Sequence, residues 1–160
     1  MQKLAFKAYS LLIKNSENKR HILDPIRKKF VVLTPEEWVR QHVIQFLIHE
    51  KKAPKSWINA EKQFTLAGLK KRFDVIVFSA NGSAQLIVEC KAPNVPITQE
   101  TFDQIARYNM NFKAQYMMVT NGLEHFYCSF DYTNQWYVFC EELPILCSQW
   151  NESSDRHIKL

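Results

Sequence analysis

Two apolar segments joined by a short polar turn stand near the middle of the chain, in Arg72-Phe-Asp-Val-Ile-Val-Phe-Ser-Ala-Asn-Gly-Ser-Ala-Gln-Leu-Ile-Val-Glu-Cys-Lys-Ala-Pro93. Apolar, largely β-branched residues on both sides of Asn81-Gly82 are typical of a β-hairpin with a tight turn. We therefore predict two antiparallel strands, over residues 72–78 and 85–91.

The turn also predicts the register of this hairpin. If its two central residues form a type I′ turn, Ala80 pairs with Ser83 and Asp74 lies directly opposite Glu89. Opposed side chains have Cβ atoms about 5 Å apart, and like charges so placed destabilise the pair. A hard divalent cation such as Mg²⁺ would compensate, because it takes oxygen ligands from one or two carboxylates. Without metal, we expect Asp74→Asn to be at least as stable as the wild type.

Lys91 completes a candidate site on this face of the hairpin. Period-2 alternation places Lys91 beside Glu89, whereas Cys90 points to the other face and offers the site only its backbone carbonyl as a metal ligand. A metal, two carboxylates and an ammonium are suited to hydrolysing a phosphodiester, because the metal polarises a phosphoryl oxygen and the ammonium offsets developing charge. The alternative is a strand-end salt bridge from Lys91 to Glu89 with Asp74 solvated, and the hairpin alone leaves both interpretations open.

Signals on either side of the hairpin predict a mixed sheet with helices on its faces. The segment from Thr34 to Glu50 opens with a capping-box pattern and predicts one helix. The segment from Thr98 to about Lys113 predicts a second helix. Further strands are predicted at 57–66, 116–120, 124–129 and 136–140, with short ones around 6–13 and 30–33. This order of elements favours an α/β or α+β layer architecture.

Length, composition and charge indicate one cytoplasmic domain. The 160 residues, 46% hydrophobic and 23% charged, fit a single domain over residues 1–160 with its core at about 24–140. No apolar run approaches the roughly 20 residues that span a bilayer, and the four cysteines lack the C-x-x-C spacing of a zinc site, so reduced thiols are expected. A net charge of +5 favours a polyanionic partner, and basic clusters lie at 27–29, 51–55 and 70–72.

Five short motifs lie between Asp24 and Cys128, and together they are a far more specific family signature than any of them alone. They are Asp24-Pro-Ile-Arg-Lys, Thr34-Pro-Glu-Glu-Trp-Val-Arg-Gln, Phe73-Asp74, Val88-Glu89-Cys90-Lys91-Ala92-Pro93 and Gln104-Ile-Ala-Arg-Tyr108. With them the chain resembles the PD-(D/E)XK nucleases, and more narrowly the N-terminal nuclease domain of type I restriction enzyme R subunits. The resemblance implies a three-layer α/β/α restriction-endonuclease-like fold with a central mixed β-sheet. It also implies Mg²⁺-dependent DNA cleavage, with Mn²⁺ able to substitute.

The resemblance assigns roles to individual residues. Asp74 and Glu89 would ligate Mg²⁺, and Lys91 would assist hydrolysis. Gln104 and Tyr108 would lie near the active site, since residues four apart share one face of a helix. Other subunits of a restriction or repair system are expected as partners, together with DNA.

The sequence leaves two candidates for an acidic residue of the first helix and two rival functions. The family often adds an acidic residue from the first helix, for which Glu37 or Glu36 is the candidate, although Glu37 is also explained by the capping box. His42 and His49 are expected at the surface. No G-x-x-x-x-G-K-[ST] occurs, so ATP-driven translocation would come from another protein or be absent. The rival functions are a nucleic-acid-binding module without turnover and a structural partner that docks through aromatic residues at 126–136.

Overall fold

The computed structural model describes residues 1–146, which form nine strands, two α-helices and one short 3-10 helix. The strands are β1 Ile13–Ser16, β2 Lys19–Asp24, β3 Lys29–Val32, β4 Ile58–Leu66, β5 Leu69–Phe78, β6 Ala84–Cys90, β7 Tyr116–Thr120, β8 His125–Asp131 and β9 Trp136–Cys140. The helices are α1 Pro35–His49 and α2 Gln99–Asn109, and the 3-10 helix is Lys55–Trp57. None of the helices in this described part is long and apolar enough to cross a membrane.

A six-stranded mixed sheet organises the chain, in the order β4-β5-β6-β7-β8-β9. Only β6 and β7 pair in parallel among the described strands, and α2 lies between them in sequence. This is the crossover that a parallel pair requires. The N-terminal strands β1, β2 and β3 form a separate antiparallel sheet. The predicted mixed α/β architecture is therefore confirmed.

Alternation along the central strands divides the core into two clusters. Val75 and Val77 of β5 pack in one cluster with apolar residues of α1, whereas Ile76 packs in the other cluster with Phe102 and Ile105 of α2. This is the period-2 pattern of a strand that is buried on both faces. The first cluster also contains Leu4, Leu143 and Leu146, so the core extends beyond the predicted range of 24–140.

Helix α1 begins where the sequence predicts, but its capping box is only half formed. The Thr34 hydroxyl oxygen accepts a hydrogen bond from the Glu37 backbone N–H at 3.0 Å. The Thr34 N–H donates instead to the carbonyl of Val32, and the Glu37 carboxylate is bound by Arg27 and Arg40. These ion pairs replace the second hydrogen bond of a capping box, which would run from the Thr34 N–H to the Glu37 carboxylate.

The turn of the β5–β6 hairpin differs from the prediction. Ser79 rather than Ala80 closes the turn, because its N–H donates to the carbonyl of Ser83 at 2.8 Å. Phe78 then pairs with Ala84, and a bulge at Gln85 shifts the register. The Asn81 side chain accounts for the longer turn, since its oxygen accepts from the Ser83 N–H and hydroxyl.

The bulge restores the register that the shorter turn would have produced. Val77 pairs with Leu86 and Val75 pairs with Val88, as predicted. Asp74 and Glu89 are the next residues on their strands, so the two errors cancel before the site is reached. The strand predicted around 6–13 is wrong, because residues 6–12 are irregular, and α2 ends at Asn109 rather than near Lys113.

Gly122 supports the packing of the N-terminal segment on the sheet. Its carbonyl accepts from the Ala5 N–H at 2.7 Å, and its φ is +84°. A Cβ at this position would lie 2.8 Å from Leu4 Cδ2 and 3.0 Å from Val39 Cγ2. Both the backbone and the close approach therefore require glycine here.

We predict that Gly122→Ala lowers the free energy of unfolding more than Gly82→Ala does. Gly82 has a similar φ of +82° but open space around it. Its substitution should cost only the backbone term of about 1–2 kcal/mol, whereas Gly122→Ala adds the overpacking of a core site, about 1–3 kcal/mol more. Urea denaturation of both variants provides the measurement, and equal losses would show that Leu4 and Val39 do not confine Gly122.

Candidate active site

Asp74 lies at the end of the hairpin ladder and is only 7% exposed. Its Oδ1 accepts from Arg40 Nη2 at 2.7 Å, and its Oδ2 accepts from the Cys90 backbone N–H at 2.7 Å. The interpretation of Asp74 as a solvated strand-end residue is therefore wrong. The hydrogen bond to Cys90 fixes the carboxylate against the strand that carries Glu89.

Glu89 and Lys91 form an ion pair beside Asp74, with Lys91 Nζ 2.8 Å from Glu89 Oε1. Burial and then the negative charge of Asp74 raise the pKa of Glu89 to about 7, although Lys91 opposes this rise. Burial lowers the pKa of Lys91, but the hydrogen bond to Glu89 and the charges of nearby carboxylates together outweigh burial and raise that pKa overall. Lys91 therefore remains an ammonium donor near neutral pH.

An open pocket of about 400 Å³ lies over these carboxylates. Gln104 and Tyr108 of α2 enter it together, joined by a hydrogen bond of 3.1 Å from Gln104 Nε2 to the Tyr108 hydroxyl. Lys91 does not line the pocket and is connected to it through Glu89. The lining residues are Glu36, Gln63, Lys70, Lys71, Arg72, Asp74, Glu89, Gln104 and Tyr108.

Arg40 of α1 joins this pocket to a buried ionic network. Its guanidinium contacts Asp74 at 2.7 Å, Glu36 at 2.9 Å and also Glu37. Burial lowers the pKa of Arg40, but the charges of Asp74 and Glu37 outweigh burial and raise that pKa overall. Arg27 extends the network through Asp24, Glu37 and Glu61.

Carboxylates outnumber cationic groups in this connected cluster. It contains two more acidic than basic side chains, so it holds an excess of two negative charges when all its groups are ionised. The members are Asp24, Glu36, Glu37, Glu61 and Asp74 with Arg27, Arg40 and Arg72. Glu89 and Lys91 form a separate ion pair beside this cluster.

The donors at the pocket fit a hard divalent cation. Within residues 1–146 no three His, Cys, Asp or Glu side chains are grouped to hold a metal. Mg²⁺ commonly uses only one or two carboxylates and completes its shell with water and phosphate. Asp74 keeps acceptor capacity after its two hydrogen bonds, because a carboxylate has about four lone-pair sites. An ion of charge +2 would neutralise the excess.

The structure separates the two acidic candidates of α1. Glu36 lines the pocket, whereas Glu37 is buried behind it and bound by Arg27, Arg40 and Gln41. Consecutive helical residues point about 100° apart, so only one of the pair can face the pocket. Of the two candidates that the sequence leaves open, Glu36 is the one that lines the pocket.

One further expectation, the surface position of His42, is corrected. His42 is buried rather than at the surface, and its Nδ1 lies 2.9 Å from the Trp38 carbonyl. His49 is exposed, as predicted. Cys90, Cys128 and Cys140 are free thiols, whereas Cys147 lies outside the described residues.

The aromatic segment at 126–136 is mostly packed rather than exposed. Phe126 and Phe130 pack against the α2 cluster, while Trp136 is 64% exposed. An apolar cavity of about 200 Å³ lies beneath Trp136, between α2 and the ends of β8 and β9. The broad aromatic docking surface considered from the sequence is thus reduced to Trp136 and its neighbours on β9.

Sequence reasoning did not assign a role to Arg27, Arg40 or Glu61. Arg40 follows Glu36 by four residues and Glu37 by three, which is the spacing of helical ion pairs, so a local signal existed. Its contact with Asp74 spans 34 residues of sequence and had no such signal. Glu61 has a φ of +55° inside β4, a conformation that sequence patterns do not indicate for glutamate.

The chain matches one family model and is similar to a solved structure. The family model described as type I restriction enzyme R protein N terminus (HSDR_N) matches residues 35–144. A solved structure described as a fragment of an HsdR subunit of a type I restriction enzyme from Vibrio vulnificus YJ016 is 23% identical, with a TM-score of 0.49. That similarity covers 71% of this chain and 24% of the other, so this chain spans about a quarter of its length. No curated protein matches.

We predict that Arg40→Met is strongly destabilising, whereas Arg72→Met is not. Removing one partner from a buried ion pair costs about 3–5 kcal/mol, because the remaining charges are left uncompensated. Arg72 is the matched control, since it also binds Glu61 but its side chain is 48% exposed, and such pairs contribute about 0–1 kcal/mol. Urea denaturation at pH 8 measures both, and a small loss for Arg40→Met would contradict its central role.

The raised pKa of Glu89 predicts a pH dependence of stability. The unfolded chain releases this proton near pH 4.5 and the folded chain near pH 7, so stability falls as the pH rises across that window. Glu89→Gln lacks this titration. Its free energy of unfolding should therefore rise relative to that of the wild type, by at most about 1.4 kcal/mol for each pH unit. Denaturant titrations between pH 4 and 8 test it, with the exposed Glu100→Gln as control; parallel profiles for Glu89→Gln and wild type would refute it.

Proposed function

Because the chain belongs to the family of type I restriction enzyme R protein N-termini, we propose that it is a Mg²⁺-dependent nuclease that hydrolyses DNA phosphodiester bonds. The observation that carries this proposal is the pair of carboxylates Asp74 and Glu89 at the floor of a pocket whose wall carries the basic side chains of Lys70 and Arg72. A divalent cation would neutralise the floor, and the wall is suited to a phosphate backbone.

Asp74 and Glu89 are the residues that would hold the ion, together with the backbone carbonyl of Cys90. Mn²⁺ is the expected substitute, since it also accepts carboxylate and carbonyl oxygens. When bound, the ion supplies Lewis-acid polarisation of the phosphoryl group and lowers the pKa of bound water. The chain itself holds Asp74 rigidly, through Arg40 and Cys90, before any substrate arrives.

Lys91 and the two polar side chains of α2 would orient the reacting groups. Lys91 is an ammonium near neutral pH, so its role is to donate hydrogen bonds and offset charge rather than to remove a proton. Gln104 and Tyr108 offer amide and hydroxyl groups to the substrate from α2. Glu36 replaces Glu37 in our proposal as the acidic residue from the first helix.

We also infer that the fold is the three-layer α/β/α arrangement of the PD-(D/E)XK nucleases. The division of the core into an α1 cluster and an α2 cluster supports this inference. Other subunits of a restriction or repair system are proposed partners. The rival function is a binding module without turnover, which would leave the charge excess without a catalytic use.

Metal binding gives a first test that does not depend on cleavage. With an assumed dissociation constant of about 1 mM, about 10 mM Mg²⁺ adds roughly 1.4 kcal/mol to the stability of the wild type. This corresponds to a rise of about 3–6 °C in Tm for a domain of this size. Glu89→Gln lacks one anionic ligand and should shift much less. Equal shifts in thermal melts would exclude Glu89 as a ligand.

Cleavage gives the decisive test of the proposed function. Purified protein is incubated with linear and circular DNA in the presence of Mg²⁺, Mn²⁺ or EDTA. We expect cleavage with either metal, none with EDTA, and a loss of at least about a hundredfold in rate for Lys91→Ala. Lys52→Ala serves as the control, since Lys52 is exposed beyond the far end of α1. Metal binding without cleavage by the wild type would favour the binding module.

A further inference from the structure

Strands β4 and β5 continue beyond the strand that follows them in the sheet. Their mutual pairing runs from Ile58–Val77 to Leu66–Leu69, whereas β6 pairs with β5 only from Val75 onward. Residues 62–72 therefore form a two-stranded ribbon that leaves the sheet beside Asp74. At about 3.4 Å per residue, its tip at Gly68 lies roughly 20 Å from the end of the β6 ladder.

The conformation of the tip makes this ribbon a tight hairpin. Ala67 and Gly68 both have positive φ, of +49° and +76°. Positive φ at both central residues is the requirement of a type I′ turn, which matches the twist of paired strands. Leu69 beside the turn is 61% exposed, and a Cβ added to Gly68 would meet nothing within 4 Å. The tip therefore projects into solvent.

All the charged residues of the ribbon are basic. Residues 62–72 contain Lys62, Lys70, Lys71 and Arg72 and no acidic residue. Among the described residues, the three lysines make no ion pair with an acidic side chain, and Arg72 binds Glu61. Four positive charges on a projecting ribbon are an electrostatic footprint for phosphates.

The charges occupy both faces of the ribbon. Opposed residues share a face, so Arg72 and Lys70 lie on the face of Asp74. Lys62 pairs with Phe73, and together with Lys71 it lies on the opposite face. A ribbon that is basic on one face suits one phosphate backbone, whereas this ribbon can meet a backbone on each side.

We propose that the ribbon of residues 62–72 enters the major groove of double-stranded DNA and contacts the backbones that border it. The groove is about 12 Å wide and 8.5 Å deep, and it admits a two-stranded β-ribbon. This assignment rests on the proposed function and names its substrate as duplex DNA. Lys70 and Arg72, on the face of Asp74, also line the pocket over this residue, so the bound backbone leads towards the carboxylates.

The packing of aromatic side chains favours a duplex over a single strand. Proteins that bind single strands stack bases on exposed aromatic rings. The one aromatic residue of the ribbon, Phe64, instead stacks on Phe73 at 4.8 Å and meets Phe112 at 5.0 Å. Lys71 lies over the ring of Tyr108 at 5.7 Å. These contacts leave charge and hydrogen bonding as the means by which the ribbon holds a ligand.

Binding isotherms at several salt concentrations test this proposal. The Lys91→Ala protein in EDTA, which prevents cleavage, is titrated into a fluorescein-labelled DNA duplex, its single strand, and an RNA duplex of the same sequence. In that background we compare Lys62→Ala/Lys70→Ala with the control Lys52→Ala/Lys55→Ala. Both pairs remove two positive charges, but Lys52 and Lys55 lie at the opposite end of the β4–β5 hairpin.

We expect the ribbon pair to weaken duplex binding and to reduce the slope of log Kd against log salt by about 2, since each phosphate contact contributes about 0.9. The control pair should leave the slope unchanged, and charge reversal in Lys62→Glu/Lys70→Glu should weaken binding further. Unchanged thermal melts would show that the variants fold. Equal slopes for the ribbon and control pairs would overturn the proposal, and so would tighter binding of the single strand or of RNA.

The outcome is distinguishable from failure of the proposed function. If the wild type cleaves DNA but the ribbon pair binds as the control does, the nuclease assignment stands and the ribbon is excluded. If duplex binding depends on the ribbon but no metal supports cleavage, the ribbon assignment stands and the protein is a binding module.

Discussion

The guanidinium of Arg40 is the contact on which the site depends, because it ties helix α1 to the strand that carries Asp74. Arg40 is nearly inaccessible, and its neighbours are carboxylates rather than apolar groups. Taking such charges out of water is costly unless they are paired, so the packing of α1 on the sheet depends on the partners of Arg40. The position of Asp74 is thus a consequence of how α1 packs on the sheet.

The ionic network around Arg40 contains more carboxylates than arginines. The three guanidinium groups of Arg27, Arg40 and Arg72 bind five carboxylates, so two negative charges of this network have no arginine to balance them. Glu89 lies beside this network, and burial followed by the charge of Asp74 raises its pKa to about 7. A divalent ion and a proton would compete for Glu89. Affinity for the proposed ion should therefore rise with pH across neutrality.

Local patterns in the sequence were sufficient for the strands of the central sheet, for both helices and for the register of the hairpin near Asp74, but they did not predict β1 and β2. They were not sufficient for the turn, because the Asn81 side chain stabilises a longer loop and the bulge at Gln85 compensates for it. The predicted register returns at Val77–Leu86 and Val75–Val88, next to Asp74 and Glu89, since two shifts of opposite effect cancel. The contact of Arg40 with Asp74 could not be anticipated, because it depends on tertiary packing across 34 residues.

Strand β5 carries both a residue of the candidate active site and the basic residues of the proposed DNA-binding ribbon. Asp74, Arg72 and Lys70 follow one another at every second residue, so all three share one face and are about 6.8 Å apart along the strand. A slip of one residue in the β4–β5 register would move all three to the face of Phe73, which is buried against Tyr108 and Phe112. The packing of Phe73 therefore fixes the face on which the carboxylate and the basic residues meet. The buried ring of Phe73 thereby places the Asp74 carboxylate and basic residues of the ribbon where they can contact the same ligand.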